Sequence, residues 1–418
     1  MRKILPYKVR MTLVKSGAQP ELLKEINCAR LLEILQETRV VSRAELARRA
    51  GLSRTTVGIL VEELLRVGLA REVGLASSTG GRPPMLLEFN PDAALALGAQ
   101  MTDRAWHIVL ANLDTQARRR VSVRIADDTP QAAIAALQEG VTALTEQQAP
   151  GTILPAIGVG TPGLVDVHSG VIKSAVDIGW AEVPMKAMIE ERLGLRALVA
   201  NRSKVGALAE LSQGTGAGRQ VNDLIYISIG TGIAAGIVHQ RRLYTGANSS
   251  AGELGHVTVL PDGPVCPCGN QGCLQQLASG PAIANRARAR LREGLPSILG
   301  RLAGDHPERI SAITVFRAAQ EGDTLAQEVV AETARHLGLA VANLINLFNP
   351  ELIVLGGPVG RRSQVLLEPL LEQVRRRAMA YPLSTVRIVT SRLGPEAGAI
   401  GAATLVLQQA SDLIFTRR

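Results

Sequence analysis

The sequence predicts an α/β protein that is preceded by a small helix-turn-helix domain. From residue 91 onward, strand-like and helix-like segments alternate to the end of the chain, which is the pattern of α/β folds. Before that point, three segments repeat apolar residues at helical spacing, and two short strand-like runs follow them. A chain of 418 residues is long enough for two or three domains and a large core.

The net charge of +9 is concentrated near the N-terminus. Residues 1–90 carry 15 basic and 9 acidic side chains, and the first twenty residues carry five basic and no acidic ones. A basic arm that leads into a small domain is typical of nucleic-acid-binding proteins, although a merely basic surface would give the same charge. We therefore expect double-stranded DNA as a partner and assign residues 1–20 to a flexible basic arm.

The sequence shows no sign of membrane insertion or export. No apolar run approaches the roughly 20 residues that a transmembrane helix needs, and the first ten residues, MRKILPYKVR, lack the apolar region of a signal peptide. Cys28 lies in an apolar helical pattern, and the other three cysteines form one cluster. This cysteine usage suits a reducing compartment, so we expect a cytoplasmic protein without a membrane partner.

The first domain is predicted to contain three helices. Apolar spacing predicts a helix over residues 22–37, and a second helix is expected over Arg43–Ala50 because Ser42 and Glu45 form a capping box. A glycine turn follows, and Ser53 caps a third helix that ends near residue 68. The residues of this third helix that should face the core are Val57, Leu60, Val61 and Leu64.

A β-ribbon wing should complete this domain, which we place at residues 21–90. Two strand-like runs, 69–73 and 85–89, flank the tip GLASSTGGRPP. The third helix would present its first turn to the major groove of DNA, and Arg82 in the tip could reach a minor groove. A dimerisation module with the same elements is the alternative. The candidate DNA-contacting residues are Arg43, Ser53, Arg54, Thr55, Thr56 and Arg82.

A cluster of cysteines predicts a metal site. Cys266, Cys268 and Cys273 fall within eight residues, and His256 precedes the first of them by ten. Three thiolates and one imidazole are a suitable ligand set for a tetrahedral structural Zn²⁺ site. The alternative is a disulfide with one cysteine left over, but a C-x-C pair makes a poor bridge. We therefore expect zinc bound by these four side chains.

The same stretch resembles a known family. AGELGH followed by CPCGNQGCLQ is similar to the E-x-G-H and C-x-C-G-x-x-G-C-x-E signatures of the ROK family of sugar kinases and sugar-responsive repressors. The segment that ends in GGRPP resembles the winged helix of the ROK repressors, and the likeness extends over residues 22–407. It implies two actin-like lobes of RNase H type around a cleft, within residues 91–418. One lobe would span about 91–202 plus the C-terminal helix, and the other about 203–394.

The resemblance also implies a sugar site in the cleft, with His256 contacting both the sugar and the zinc. The residues that it places at this effector site are Gly163, Asn201, Arg202, Glu253, His256 and Gln275.

The kinase machinery of the family is altered in this sequence. Where ROK kinases have N-D-A-N, this chain has Asn201-Arg-Ser-Lys204, so Arg202 occupies the place of the catalytic aspartate. A guanidinium stays protonated and cannot accept a proton from a sugar hydroxyl. In the first phosphate loop, Gln100 replaces an aspartate and Thr102 a glycine. We therefore expect no catalytic residue and no enzyme activity.

The exchange at Arg202 suggests two alternatives for the effector site. A phosphorylated or acidic sugar would suit the cation electrostatically. Alternatively, Arg202 pairs with Glu253 and the pocket holds no ligand, since a buried charge must find a partner.

Taken together, the sequence predicts a transcriptional regulator, a repressor of carbohydrate-metabolism genes that responds to a sugar or a sugar phosphate. We expect a homodimer, or a tetramer, because helix-turn-helix proteins bind paired operator half-sites. One alternative is an ATP-dependent hexose kinase of the ROK family, and another is a regulator controlled by a protein partner.

Overall fold

The computed structural model of the protein describes residues 20–75, 84–102, 104–146, 148, 152–214, 220–304 and 306–415. The expected basic arm, apart from residue 20, and the expected wing tip with Arg82 lie outside these residues. Among the helices that the structure describes, none combines the length and the apolar character that crossing a lipid bilayer requires.

The N-terminal part of the structure, which we call the head (residues 20–75 and 84–89), contains three helices and a three-stranded antiparallel sheet. The inward-facing residues predicted for the third helix are confirmed, since none of them is more than 3% exposed. The elements of the head are α1 (Pro20–Thr38), β1 (Val40–Ser42), α2 (Arg43–Ala50), α3 (Arg54–Arg66), β2 (Ala70–Leu75) and β3 (Met85–Phe89).

Two details of the head differ from the sequence expectations. The strand β1 was not predicted, and it pairs with β3 so that the sheet has the order β1-β3-β2. The Ser42 hydroxyl accepts a hydrogen bond from the N–H of Glu45, as expected for an N-cap. The Glu45 carboxylate, however, accepts hydrogen bonds from Arg48 and Arg49 one turn later.

The first lobe is built on a five-stranded sheet of order β11-β7-β4-β5-β6. The strands β4, β5 and β6 are antiparallel neighbours, whereas β4, β7 and β11 run parallel. The elements of this lobe are β4 (Leu95–Thr102), β5 (Ala105–Asn112), β6 (Ala117–Arg124), α4 (Pro130–Thr145), β7 (Ile153–Thr161), β8 (Leu164–Asp166), β9 (Val171–Ala175), β10 (Trp180–Val183), α5 (Met185–Leu193) and β11 (Arg196–Asn201).

The second lobe repeats this topology after α6 (Arg202–Gln213), with a sheet of order β14-β13-β12-β15-β16. Again the first three strands are antiparallel and the last two are parallel to the first. The remaining elements are β12 (Leu224–Ile229), β13 (Ile233–His239), β14 (Arg242–Tyr244), α7 (Leu274–Ala278), α8 (Gly280–Arg292), α9 (Leu299–Leu302), α10 (Ala312–Gln320), α11 (Thr324–Phe348), β15 (Leu352–Gly356), α12 (Gly357–Gly360), α13 (Gln364–Arg375), α14 (Ala380–Thr385), β16 (Arg387–Thr390), α15 (Ala397–Leu407) and α16 (Ala410–Phe415).

The C-terminal helix α15 returns to the first lobe and packs between its sheet and α6. The approach is close, because a Cβ atom at Gly98 or Gly158 would collide with the backbone of α15. A Cβ atom at Gly401 would collide in turn with the backbone of α6 at Val205. The glycines therefore allow three layers, namely sheet, α15 and α6, to pack backbone against backbone.

The apolar core of the head is continuous with the outer face of the first lobe. Cys28, Leu31 and Leu35 of α1 belong to the same buried cluster as Ala111 of β5 and Val406 of α15. The domain bounds inferred from the sequence remain predictions, since a shared core does not mark a boundary.

Candidate functional site

The two lobes enclose a groove of about 1620 Å³ that both of them line. Pockets for small ligands usually measure about 300–1,000 Å³, so this groove is larger than one monosaccharide requires. All six residues expected at the effector site line this groove: Gly163, Asn201, Arg202, Glu253, His256 and Gln275.

Asn201 links the turn at Gly163 to the start of α6. It is the N-cap of α6, and its Oδ1 accepts hydrogen bonds from the N–H and the hydroxyl of Ser203. Its Nδ2 donates to the carbonyl oxygen of Gly163 at 2.5 Å. Gly163 has φ +81°, and a Cβ atom there would collide with Ser174, so the turn requires glycine.

The first turn of α6 carries two cations, of which Arg202 lines the groove. Arg202 is the first residue of the helix and is half-buried. Lys204 is only 2% exposed, and its Nζ donates a hydrogen bond to the carbonyl oxygen of Ser249. Burial lowers the pKa of Lys204, whereas the nearby Glu253 raises it. Lys204 therefore anchors the segment that leads to Glu253.

Glu253 is a half-buried carboxylate whose pKa lies above its ordinary value. Burial raises its pKa, and the charges of His256 and Lys204 lower it. The preceding Gly252 has φ +99° and lies against the backbone of Ala235, which fixes the direction in which the chain enters this turn. Lys204, whose positive charge favours the ionised carboxylate, is a neighbour that the sequence did not identify.

His256, Cys266, Cys268 and Cys273 converge in the structure. One ligand atom from each lies within 4.8 Å of all the others. The Sγ of Cys266 is 3.7 Å from Nδ1 of His256, and the Sγ of Cys268 is 3.8 Å from that of Cys273. All four cysteines of the chain are free thiols in the structure, so the structure does not contain the disulfide that was the alternative. The arrangement suits a metal ion with four ligands.

Gln275 lies beside this cluster. Its Nε2 donates to the Sγ of Cys266 at 3.5 Å, and its Oε1 lies close to the backbone of Gly232 and Gly255. A carboxylate at this position would repel a thiolate, whereas an amide N–H stabilises it. Gln275 therefore connects the cysteine cluster to the wall of the groove.

The groove is bridged at one point by two side chains that the sequence did not single out as a pair. Asp177 lies in the short 3₁₀ helix Val176–Ile178 of the first lobe, and Thr231 lies in the glycine turn after β12 of the second lobe. The Thr231 hydroxyl donates to the Asp177 carboxylate at 3.0 Å. No spacing rule connects residues 54 positions apart, so only the fold reveals this contact.

Gln100, which stands in the altered phosphate loop, has a packing role in the structure. Its side chain lies against Gly398 of α15, where a Cβ atom would collide with the amide. Thr102 donates a hydrogen bond to the carbonyl oxygen of Ala105 within the β4–β5 hairpin. Both residues line the groove.

Four of the candidate DNA-contacting residues, Ser53 to Thr56, lie at the start of α3. Ser53 caps α3 by accepting the N–H of Thr56 at 3.0 Å, and the two hydroxyls are 2.8 Å apart. Arg54 and Thr55 in the same turn are exposed. Arg43, by contrast, forms ion pairs with Glu62 of α3 and Glu72 of β2 at 2.8 and 3.1 Å, which tie α2 to its neighbours.

One exposed residue of α3 was not identified from the sequence. Ile59 is 63% exposed, one turn after Thr55. The inward pattern of Val57, Leu60 and Val61 leaves positions 58, 59 and 62 on the outer face, so the signal was present in the sequence. An isoleucine on the outer face of such a helix can make an apolar contact with a thymine methyl group.

Comparison with known proteins places this architecture in a family. The sequence profile of the ROK family matches residues 96–409. The xylose repressor of Caldicellulosiruptor bescii is 30% identical over 397 residues, which cover 94% of this chain and 97% of the relative. The glucokinase of Halalkalibacterium halodurans is 38% identical over 261 residues, which cover 62% of this chain and 78% of the relative.

A solved structure agrees over nearly the whole chain. The crystal structure of a ROK family transcriptional regulator, a homologue of the E. coli MLC protein, superposes with a TM-score of 0.81 at 29% identity. It covers 94% of this chain and 98% of its own. The two-lobed body with repeated sheet topology, the cysteine cluster beside the groove and the full-length matches lead to one conclusion: the chain belongs to the ROK family.

Proposed function

We propose that the protein is a DNA-binding transcriptional regulator, a repressor of carbohydrate-metabolism genes that responds to a sugar or sugar phosphate. The observation that carries this proposal is the head, whose α3 presents exposed Arg54 and Thr55 at its first turn. The relatives support it, because the repressor and the regulator match this chain over head and body, whereas the glucokinase matches 62% of it. Residues 21–90 would form the DNA-binding domain and residues 91–418 the effector-binding body.

The second element of the proposal is that the body does not transfer phosphate. By resemblance to the ROK kinases, Arg202 stands where they have a catalytic aspartate. The residue begins α6 and lines the groove, which supports the proposal that its guanidinium would face a bound sugar in place of a proton-accepting carboxylate. Loss of a general base reduces the rate by about 10²–10⁴.

The effector would bind between the start of α6 and the turn at Glu253. Asn201 and Glu253 supply hydrogen-bonding groups, while Arg202 adds positive charge to the same wall. This charge favours an acidic or phosphorylated sugar over a neutral one. His256 and Gln275 would complete the site from the side of the cysteine cluster.

The metal of this cluster is proposed to be zinc. Tetrahedral Zn²⁺ with ligand bonds of about 2.3 Å to sulfur and 2.0 Å to nitrogen requires S···S and S···N separations of about 3.8 and 3.5 Å. The observed separations of 3.8 and 3.7 Å fit this requirement. His256, Cys266, Cys268 and Cys273 would hold the ion, which would fix the loop before α7, the helix that carries Gln275, rather than take part in chemistry.

We further propose that the protein acts as a homodimer whose two heads read paired half-sites. Effector binding would shift the equilibrium between lobe arrangements and so change the spacing of the heads. The DNA-contacting residues would be Arg54 and Thr55, with Ser53 and Thr56 holding the turn. Arg43 and Arg82 remain candidates, although Arg43 would have to leave its ion pairs to contact DNA.

An ATP-dependent sugar kinase is the second candidate, and the 38% identity to the glucokinase favours it. One experiment separates the two functions. Duplexes are selected from a random library with the purified chain, and the selected duplex is titrated at fixed salt with neutral sugars and sugar phosphates. In parallel, ADP release is measured over the same sugars with ATP.

The regulator requires nanomolar binding of a selected duplex, a change in that affinity with at least one sugar or sugar phosphate, and ADP release no faster than without sugar. Robust ADP release would establish the kinase instead. Duplex binding that no sugar changes would favour control by a protein partner.

A further inference from the structure

We propose that α6 transmits conformational changes between the effector groove and the DNA-reading head. The helix begins in the groove and ends beside the turn that holds the head, and it packs along its length against a second helix that also reaches the head. This inference rests on the proposed function, since it describes how occupancy of the groove would reach the DNA.

The first turn of α6 belongs to the groove. Asn201 caps the helix, Arg202 lines the groove, and Lys204 is bonded to the carbonyl oxygen of Ser249. A ligand that contacts this wall must therefore push or pull on the N-terminal end of α6. A 12-residue helix is about 18 Å long, so a rotation at one end is carried rigidly to the other.

The last residue of α6 contacts the β5–β6 turn, and this turn forms an ion pair with the head. Nε2 of Gln213 donates to the carbonyl oxygen of Thr115 in the β5–β6 turn. The neighbouring residue in this turn, Asp114, forms an ion pair of 2.6 Å with Arg39 at the end of α1. The side chain of Asp114 is 21% exposed, and that of Arg39 is 54% exposed.

Arg39 is itself held firmly by the head. Its carbonyl oxygen accepts the N–H of Phe89 at 2.8 Å, and its guanidinium lies 5.5 Å from the centre of the Phe89 ring. Arg39 thus joins α1 to β3 while it reaches across to Asp114. A displacement of the β5–β6 turn would act on both elements of the head.

A second route leaves α6 through α15. Gly401 of α15 lies against the backbone of Val205, and Thr404 donates a hydrogen bond to the Ser212 hydroxyl at 3.4 Å. No methyl group fits between these two helices at Gly401, so α15 cannot stay in place if α6 rotates. After α15, the chain turns into α16 (Ala410–Phe415), which contacts α1 of the head.

Apolar side chains of α16 continue the core of the head. Leu413, Ile414 and Phe415 are half-buried against the cluster that contains Leu31 and Leu35 of α1. Both routes therefore start on α6 and end on α1, one through an ion pair and one through packing. The ion pair and the packing contact are separate, so together they constrain the head more than either would alone.

The test uses the reciprocity of coupling between two sites: if the groove acts on the head, DNA bound to the head must act on the groove. Hydrogen exchange is measured on the full-length chain with and without the duplex that it selects from a random library. The readout is the exchange of residues 201–206 and 249–256, which lie at the groove. In the wild type, we expect DNA to change exchange in these peptides by about fivefold or more, the lower end of the usual range for coupled sites.

The variants break each route separately. Gln213→Ala removes the bond to Thr115, and Asp114→Asn removes the charge of the ion pair with Arg39, so both weaken the first route. Leu413→Ala weakens the second. The matched control is Gln320→Ala, at the exposed last residue of α10. We expect the duplex affinity of Asp114→Asn to stay within about fivefold of the wild type, because an exposed ion pair contributes little to the fold of the head. The response of the groove should shrink in the three variants and persist in the control.

The proposal is overturned if DNA leaves the exchange of the wild-type groove unchanged, or if the response is equal in Gln213→Ala, Asp114→Asn and the wild type. Should Leu413→Ala fail to fold, the exposed Asp114→Asn change still decides the first route. If the chain selects no duplex, the proposed function itself fails, and the inference fails with it.

Discussion

The hydroxyl of Thr231 donates a hydrogen bond of 3.0 Å to the carboxylate of Asp177, and this bond joins the two lobes across the groove. Both side chains are exposed, so the bond is expected to stabilise the observed lobe arrangement by about 0.5–1.5 kcal/mol. A free energy of this size shifts an equilibrium between open and closed lobes about two- to twelvefold. The contact is thus weak enough for a ligand to overcome.

Replacing Asp177 should therefore open the groove. We expect Asp177→Ala to increase the radius of gyration of the free protein in small-angle X-ray scattering, because the open arrangement becomes more populated. Asp177→Asn is the control, since its amide oxygen can still accept the hydrogen bond. Scattering curves of Asp177→Ala and the wild type that coincide would show that the bond does not hold the lobes.

The cysteine cluster makes a second prediction. Purified protein should contain about one zinc ion per chain by elemental analysis, and Cys268→Ser should lose most of it because a hydroxyl is a poor zinc ligand. The same variant, and the wild type treated with a chelator, should unfold at lower temperature. Cys28→Ala is the matched control, since Cys28 lies outside the cluster in the core of the head. Equal zinc content in Cys268→Ser and the wild type would contradict the ligand assignment.

Local patterns predicted the helices of the head and the cluster of one histidine and three cysteines. The inward face of α3 follows from apolar spacing, and the four clustered ligands follow from the short C-x-C-x4-C segment with one nearby histidine. Such features depend on residues close in sequence, where periodicity and spacing are informative.

Contacts between distant parts of the chain were not predictable in this way. The short strand β1 is recognisable only once β3 pairs with it. Lys204 was visible as a departure from the family motif, but its bond to Ser249 depends on how two lobes meet. The same holds for Asp177 with Thr231 and for Gln213 with Thr115. Relations of this kind are set by tertiary packing, which no local pattern encodes.

The head makes a third prediction, for which Arg54 is the informative residue. Arg54→Ala should weaken binding of the selected duplex by about 1–3 kcal/mol if the side chain contacts a base, and preference at one base pair should relax. If it contacts a phosphate, binding should weaken equally for all sequences and the salt dependence should fall by about one ion. Fluorescence anisotropy at several salt concentrations distinguishes the two.

The control for this experiment is Arg48→Ala, which also removes one exposed positive charge from the head. Arg48 lies on α2 and forms an ion pair with Glu45 at 2.5 Å. A loss of affinity in Arg48→Ala as large as in Arg54→Ala would mean that the net charge of the head matters and the position of the arginine does not.

Buried Glu210 of α6 makes a prediction about pH. Its side chain is 2% exposed and accepts a hydrogen bond from the Ser391 hydroxyl. Burial raises its pKa above the ordinary value of 4.5, and the bond from Ser391 opposes this only in part. The folded state therefore binds this proton more tightly than the unfolded chain. The resulting stability is fully present below about pH 4.5 and is lost as pH rises through the raised pKa.

Glu210→Gln, which imitates the protonated side chain, should remove this loss. We expect the unfolding temperature of the variant to exceed that of the wild type at pH 8, with a smaller difference at pH 5, where the wild-type carboxyl holds more of its proton. Glu139→Gln, at an exposed position of α4, should leave the pH dependence unchanged. Thermal unfolding of the three proteins across this range is the measurement. A Glu210→Gln protein that is less stable than the wild type at pH 8 would show that the ionised carboxylate has a favourable partner in the fold.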